Sequence, residues 1–369
     1  MCGIVGYVGP RVATPLLIEG LKRLEYRGYD SAGVALMNGR GIETRKAVGK
    51  IAMLESVVAA DPVAGETGIA HTRWATHGAP NECNAHPHAD CKGEIAVVHN
   101  GIIENYGALR SMLEQHGHTF VSQTDTEVLA HLIEAAFDGN LEEAVIDSLH
   151  LVEGTYGIAV VSSRDPGKIV AARKGSPLLI GLGKGENFIA SDVAAILQHT
   201  RDVIYLDDGE MAVITADSYR VFDLQATTRQ KRVSKIEWDL DMIEKGGFAH
   251  FMLKEIFEQP RTIENTMRGR LVTEEGFTKL GGINLSREQL LGIDNIVITA
   301  CGTSWHSGLI GELLIEDGAR VPVEVEYASE FRYRNPIITQ RTLCVVISQS
   351  GETADTLAAM REAKRRGAR

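Results

Sequence analysis

The chain opens Met1-Cys2-Gly3-Ile4-Val5-Gly6-Tyr7-Val8-Gly9. Residues 4–8 are a short apolar run bounded by glycines, the pattern of a buried strand. A cysteine stands directly before that strand, behind the initiator methionine. Met1 is expected to be trimmed, as is common before a small residue, leaving Cys2 with both a thiol and a free α-amine. The thiolate is the nucleophile at carbonyl carbon. An α-amine titrating at about 7.7–8.0 can take up the thiol proton near neutral pH. Alone, a cysteine in this place is more often an accident of an apolar first strand, so its meaning depends on what the rest of the chain supplies.

With 369 residues there is room for about two domains. Hydrophobic residues make up 44% and charged residues 24%, as in ordinary globular proteins. The formal net charge of −11 argues against nucleic acid and against anionic membrane surfaces as partners. No apolar run approaches the ~20 residues of a membrane span, and the first residues lack the basic segment and apolar core of a secretory signal, so a cytoplasmic location is expected. Five cysteines, an odd number in a long chain, fit a reduced compartment rather than a disulfide framework.

Hydrophobic periodicity predicts strands at 4–8, 34–37, 67–74 and 94–99, and helices at 14–26, 51–59, 105–116, 124–137 and 141–149. Strands then dominate from 157 to 223, with turn signals at short spacing. Residues 1–225 therefore read as one α+β domain, two stacked antiparallel sheets between helix layers. Residues 226–250 read as a linker. A helix is expected over 251–267, with Pro260 as a break or kink. Strands at 295–300, 322–326 and 343–347 alternate with helices, so residues 251–369 read as a partial α/β domain with a parallel sheet.

Acyl transfer needs a nucleophile, an oxyanion stabiliser and a substrate clamp. Arg73, at the end of a strand, can grip a carboxylate bidentately. Asn100-Gly101, expected just after a strand, offers a side-chain amide and a backbone N–H to an oxyanion. Asp125 can bind an ammonium group. Each residue has an ordinary alternative: a surface ion pair for Arg73, a hairpin turn for Asn100-Gly101, helix capping for Asp125. Their presence together with Cys2 favours the site.

These stretches, with residues 24–33 (LEYRGYDSAG), 71–78 (HTRWATHG), 84–88 (NAHPH), 99–105 (HNGIIEN) and 124–127 (TDTE), resemble the class II glutamine amidotransferase family, most closely its branch that aminates fructose 6-phosphate. The resemblance implies a four-layer αββα sandwich of the N-terminal nucleophile type. It implies Cys2 as the nucleophile on the L-glutamine side-chain amide, with Asn100 and Gly101 as oxyanion hole. Arg73 would bind the glutamine carboxylate and Asp125 its ammonium. Thr76 and His77 would lie in a loop closing over glutamine, and Trp74 would gate an internal ammonia passage. No cofactor is implied, and the full-length form is expected to be a homodimer.

The C-terminal part carries Ala300-Cys301-Gly302-Thr303-Ser304 and Ser348-Gln349-Ser350-Gly351-Glu352-Thr353, each between an expected strand and helix. Hydroxyls and free N–H groups at helix starts can cradle a phosphate. By resemblance to the sugar isomerase domain, Thr303, Ser304, Ser348, Gln349, Ser350 and Thr353 would hold fructose 6-phosphate, giving glucosamine 6-phosphate as product. The domain is expected to be incomplete at Arg369, which leaves only the glutaminase half to act alone. Cys83 and Cys91 bracket His86 and His88, but the spacing matches no usual zinc pattern and no metal is expected. Two rival readings are another class II amidotransferase, such as one acting on phosphoribosyl pyrophosphate, and a non-catalytic sugar-phosphate-binding protein.

Overall fold

The computed structural model describes residues 2–75, 77–237, 246–272, 276–278, 280, 283, 285–351 and 353–369. Met1, Thr76 and Glu352 lie outside them. The chain divides into two compact units, up to His250 and from Phe251 onward.

In the first unit, β1 (Gly3–Val8) leads into α1 (Ala13–Leu24), whose Leu17, Leu21 and Leu24 recur on one face and are fully buried. There follow β2 (Ser31–Asn38), β3 (Gly41–Val48), α2 (Ile51–Ala60), β4 (Thr67–Arg73), β5 (His88–Ala89) and β6 (Ile95–Ile103). Three helices come next, α3 (Tyr106–Gln115), α4 (Glu127–Ala136) and α5 (Leu141–His150). The remaining strands are β7 (Gly154–Ser162), β8 (Lys168–Lys174), β9 (Leu179–Leu182), β10 (Asn187–Ala190), β11 (Asp202–Tyr205), β12 (Glu210–Thr215), β13 (Tyr219–Asp223) and β14 (Ser234–Lys235). They pair into one sheet of order β14-β11-β9-β10-β1-β4-β2-β3 and a second of order β13-β12-β8-β7-β6-β5.

The side-chain period of two builds four layers from these sheets. Ile4 and Val8 of β1 and Ile69 of β4 meet Ala96, Val98, Ala159 and Val161 of the second sheet in a core between the sheets. The alternate residues Val5, Tyr7 and Ala70 face outward onto α1 and α2. On the far side, Ile95, Val97, Ile158 and Val160 pack under α3, α4 and α5. This is the expected αββα sandwich. β3 has no apolar alternation to betray it, because it is a half-exposed edge strand. Part of the expected linker is built into the first unit: Ser234–Lys235 pairs with β11, and Ile236 is buried in the outer core.

In the second unit, α6 (Phe251–Met267) runs unbroken through Pro260, where the sequence predicts a break or kink. β15 (Leu271–Val272) and β16 (Phe277–Thr278) make a small antiparallel pair, and α7 (Arg287–Leu291) follows. Next come β17 (Asn295–Ala300), α8 (Thr303–Ala319), β18 (Val323–Tyr327), α9 (Ala328–Tyr333), β19 (Thr342–Ile347) and α10 (Ala354–Arg365). The sheet is parallel with order β18-β17-β19. One face packs on Ala328, Phe331, Ala359 and Ala363, and the other carries Ile296, Ile298 and Val323 with Ile315 of α8. Ile310, Leu313 and Leu314 of α8 stay more than half exposed.

Candidate active site

Strand register assembles the site. β1 lies against β4 with Gly3 opposite Thr72, which sets Cys2 beside the end of β4. β2 lies on the other side of β4 with Ser31 opposite Arg73, which brings Asp30 to the same end. There the Trp74 N–H donates to Cys2 Sγ at 3.2 Å, and the thiol lies 3.6 Å from the Trp74 carbonyl. The Ala75 N–H donates to Asp30 Oδ2, which holds the chain leaving β4. Gly28 sits so close to this turn that a Cβ there would lie 2.8 Å from the Arg73 carbonyl carbon and oxygen.

Asn100 and Gly101 fall within β6 rather than after it. Asn100 Nδ2 donates to the Cys2 carbonyl at 3.3 Å. Its orientation is set from behind. His71 Nε2 lies 2.9 Å from Asn100 Oδ1 and 3.1 Å from the His99 carbonyl. Both partners are acceptors, so Nε2 carries the proton and the Asn100 amide presents its NH2 to Cys2. Burial holds His71 neutral, pulling it down to about 3. Gly101 has φ +140°, open to glycine alone.

Burial pushes the Cys2 thiol above its ordinary value, against the Trp74 N–H that favours the thiolate. The sulfur therefore needs a base to become a nucleophile.

Arg73 and Asp125 are 3% and 4% exposed, so both are charges removed from water. Arg73 donates to the carbonyls of His77 and Gly78, the latter at 3.2 Å. Its Nη1 has no hydrogen-bond partner among the described residues and lies 4.0 Å from Asp30 Oδ1. Asp125 does not cap α4. Its Oδ2 accepts the Ile103 N–H at 2.8 Å, and its Oδ1 lies 3.8 Å from His77 Nδ1. Residues 77–78 thus offer carbonyls to the cation and an imidazole to the anion. Trp74 is 50% exposed and meets Tyr29 edge-on at 5.6 Å between ring centres. Thr76 lies outside the described residues.

Of the loose cysteine–histidine group, His86 and His88 stay together, edge-on at 4.7 Å between ring centres, without Cys91. His86 stacks on His71 at 4.2 Å, and His88 Nε2 lies 3.0 Å from Thr124 Oγ1. Cys91 turns instead to His118 and His131. Sequence reasoning assigned no role to Asp30 or His71, because each acts through a partner brought near only by strand pairing.

In the second unit, Ala300 pairs with Ile347. The Thr303-Ser304 and Ser348–Thr353 stretches therefore leave adjacent parallel strands at their carboxyl ends. The chain passes to opposite sides of β17 there, making the switch-point crevice where open α/β sheets bind ligands. The Gly351 N–H donates to Ser348 Oγ at 3.0 Å. Thr303 opens α8, and Thr353 is the N-cap of α10 without a side-chain cap bond. Gln349 is exposed, and Ser304 and Ser350 are half-buried.

Residues 71–198 match the family model described as "Glutamine amidotransferase domain", and residues 289–369 match "SIS domain". A glutamine–fructose-6-phosphate aminotransferase (isomerizing) of Chlorobaculum tepidum is 59% identical over the whole of this chain, which spans 61% of that relative's length. Among solved structures, "the allosteric regulatory enzyme of purine biosynthesis" aligns with 60% of this chain and 49% of its own, at TM-score 0.53 and 28% identity. A glutamine phosphoribosylpyrophosphate amidotransferase from B. subtilis covers 88% of this chain and 65% of its own, at TM-score 0.52 and 22% identity, a likeness of fold.

Proposed function

Because this chain is a relative of the glutamine–fructose-6-phosphate aminotransferases, joining a glutamine amidotransferase domain to a SIS domain, we propose that it releases ammonia from L-glutamine at Cys2 and serves the amination of fructose 6-phosphate to glucosamine 6-phosphate. The observation that carries the first half is the meeting of Cys2 with an oriented Asn100 amide, 3.3 Å from Asn100 Nδ2 to the Cys2 carbonyl.

The Cys2 sulfur attacks the side-chain carbonyl carbon of glutamine, and the α-amine of a trimmed chain accepts the thiol proton. Charge builds on the amide oxygen, where Asn100 Nδ2 and the Gly101 N–H would receive it. The C–N bond breaks, the leaving nitrogen takes the proton and departs as ammonia, and a γ-glutamyl thioester remains on Cys2. Water hydrolyses the thioester to glutamate and the free thiol. Arg73 would take the glutamine carboxylate and Asp125 the ammonium, displacing the carbonyls and imidazole of residues 77–78. Thr76 and His77 would close over the bound amino acid. Trp74, half exposed beside the thiol, would gate the way out for ammonia.

Thr303, Ser304, Ser348, Gln349, Ser350 and Thr353 would hold the sugar phosphate at the switch-point crevice. Residues 1–225 would form the glutaminase domain and 251–369 the sugar-binding one. A homodimeric full-length form and a cytoplasmic location belong to the same reading, and among the described residues no helix is long and apolar enough to cross a membrane.

Glutamate release by Cys2→Ala tests the first half: loss of release is expected, and undiminished release would remove the mechanism. Calorimetric titration with fructose 6-phosphate, with Ser348→Ala as control, tests the second.

A further inference from the structure

Four side chains outside the candidate active site converge on one point. Cys91 lies in the turn between β5 and β6, His118 in the loop after α3, and His131 and Glu134 one turn apart on α4. One ligand atom from each lies within 4.8 Å of the others. Cys91 Sγ is 3.6 Å from His118 Nδ1 and 3.5 Å from His131 Nδ1. Glu134 Oε2 is 3.1 Å from His118 Nδ1 and 3.5 Å from His131 Nδ1.

Zinc binds thiolate sulfur at about 2.3 Å and imidazole nitrogen at about 2.0–2.1 Å, so the edges of its tetrahedron are about 3.3–3.6 Å. Three of the four distances above fall on those edges, and the fourth, Glu134 Oε2 to His118 Nδ1 at 3.1 Å, is slightly shorter. A sulfur, two imidazole nitrogens and a carboxylate oxygen are a borderline-soft set suited to zinc, and too rich in nitrogen and sulfur for magnesium or calcium.

The surroundings support the same ion. His131 is 1% exposed, and its other nitrogen, Nε2, lies 3.6 Å from Glu127 Oε1. Glu127 is itself fixed by the N–H groups of Val121 and Ser122 and by the Ser122 hydroxyl. A metal-bound histidine whose second nitrogen faces an anchored carboxylate is the usual outer shell of a zinc ligand. Phe120 closes the far side, edge-on to His131 at 4.4 Å.

We propose that Cys91, His118, His131 and Glu134 bind one zinc ion in a closed structural site. Four protein ligands leave no position for substrate, so the ion acts as a clamp. Binding transfers the Cys91 thiol proton to solvent and leaves a thiolate on the metal. The clamp joins three segments: the turn entering β6, which carries Asn100; the loop after α3, which continues to Asp125; and α4 beneath both. Its role is to hold the Asp125 loop against β6, where Asp125 already accepts from Ile103. The expectation of no metal weighed Cys91 with Cys83, His86 and His88. The true partners lie 27 and 40 residues further on, bonded through their Nδ1 atoms to the Cys91 sulfur.

The test uses the reduced whole chain, stripped with chelator, titrated with Zn2+ alone and freed of excess by gel filtration. Elemental analysis is expected to find one zinc per chain, with a higher Tm than the stripped form. Cys91→Ser and Glu134→Gln should each lose the retained zinc and the Tm rise, and Glu127→Gln should weaken binding about tenfold. Co2+ in place of zinc should give tetrahedral visible bands and a sulfur charge-transfer band that Cys91→Ser removes. Where a variant fails to fold, alkylation of Cys91 in the unaltered chain, followed by peptide mapping, decides instead: zinc should slow it about tenfold or more. A folded chain that retains no zinc, or zinc retained undiminished by both ligand variants, or alkylation of Cys91 indifferent to zinc, overturns the proposal.

Discussion

His71 Nε2 lies 2.9 Å behind Asn100 Oδ1 and fixes which end of that amide meets Cys2. Without this contact the Asn100 side chain can turn its oxygen toward the developing oxyanion, where it repels. His71→Leu should therefore lower kcat for glutamate release while leaving the KM for glutamine nearly unchanged. The loss should be smaller than the about 100- to 1,000-fold expected when Asn100→Ala removes the donor. A changed KM with normal kcat would place His71 in binding instead.

Arg73 and Asp125 predict the opposite kinetic signature. Both are buried, and each is aimed at the loop of residues 77–78 rather than at the reacting bond. Hydrogen bonds to charged groups contribute about 1.5–3 kcal/mol each. Arg73→Lys, which loses the bidentate fork, and Asp125→Asn, which keeps an acceptor for the Ile103 N–H, should each raise KM for glutamine about 10- to 100-fold with little change in kcat. Steady-state kinetics on the two variants checks this.

The elements of the fold were legible where an apolar run or a one-sided stripe is long enough to announce burial. The apolar runs of β1 and β7, each buried on both faces, and the leucine stripe of α1 are read from the residues alone. Edge strand β3, half-exposed along most of its length, carries no such signal. For the site, Cys2, Arg73, Asn100 and Asp125 stood out because their side chains suit the chemistry. The contacts that orient them did not, since Gly3 opposite Thr72 and Ser31 opposite Arg73 are pairings across 69 and 42 residues that only the closed sheet reveals. At Pro260 the helix expected over 251–267 forms with those bounds and continues through the proline, so of the break or kink expected there the break does not occur.

Gly101 makes a stability prediction. Its φ of +140° is one that side chains avoid, and a Cβ there would lie 2.1 Å from the Thr155 carbonyl oxygen across the β6–β7 pair. Gly101→Ala must either shift β7 or abandon the conformation, at about 1–3 kcal/mol for the backbone alone. Chemical denaturation should show at least that loss, with glutamate release lost alongside because the donated N–H moves. An alanine variant of unchanged midpoint would mean that β6 adjusts freely.

Acid should unfold the first unit through its buried histidines. Burial pulls His71 down to about 3, and His86 and His88 lie well below their ordinary value, each also disfavoured by its neighbours' charges. All three stay neutral in the folded chain, while in the unfolded chain each titrates at about 6.5. Above that pH neither state binds the protons and stability is full. As pH falls below it, only the unfolded state takes them up, so stability falls by up to about 1.4 kcal/mol per histidine per pH unit. Between pH 7.5 and 5.5, before carboxylates begin to titrate, the three together should cost about 4 kcal/mol. Urea midpoints across this range would show it, and His88→Gln, which can keep a hydrogen bond to Thr124, should make the slope shallower by one proton. A flat profile over the same range would mean that these rings accept protons in the folded state.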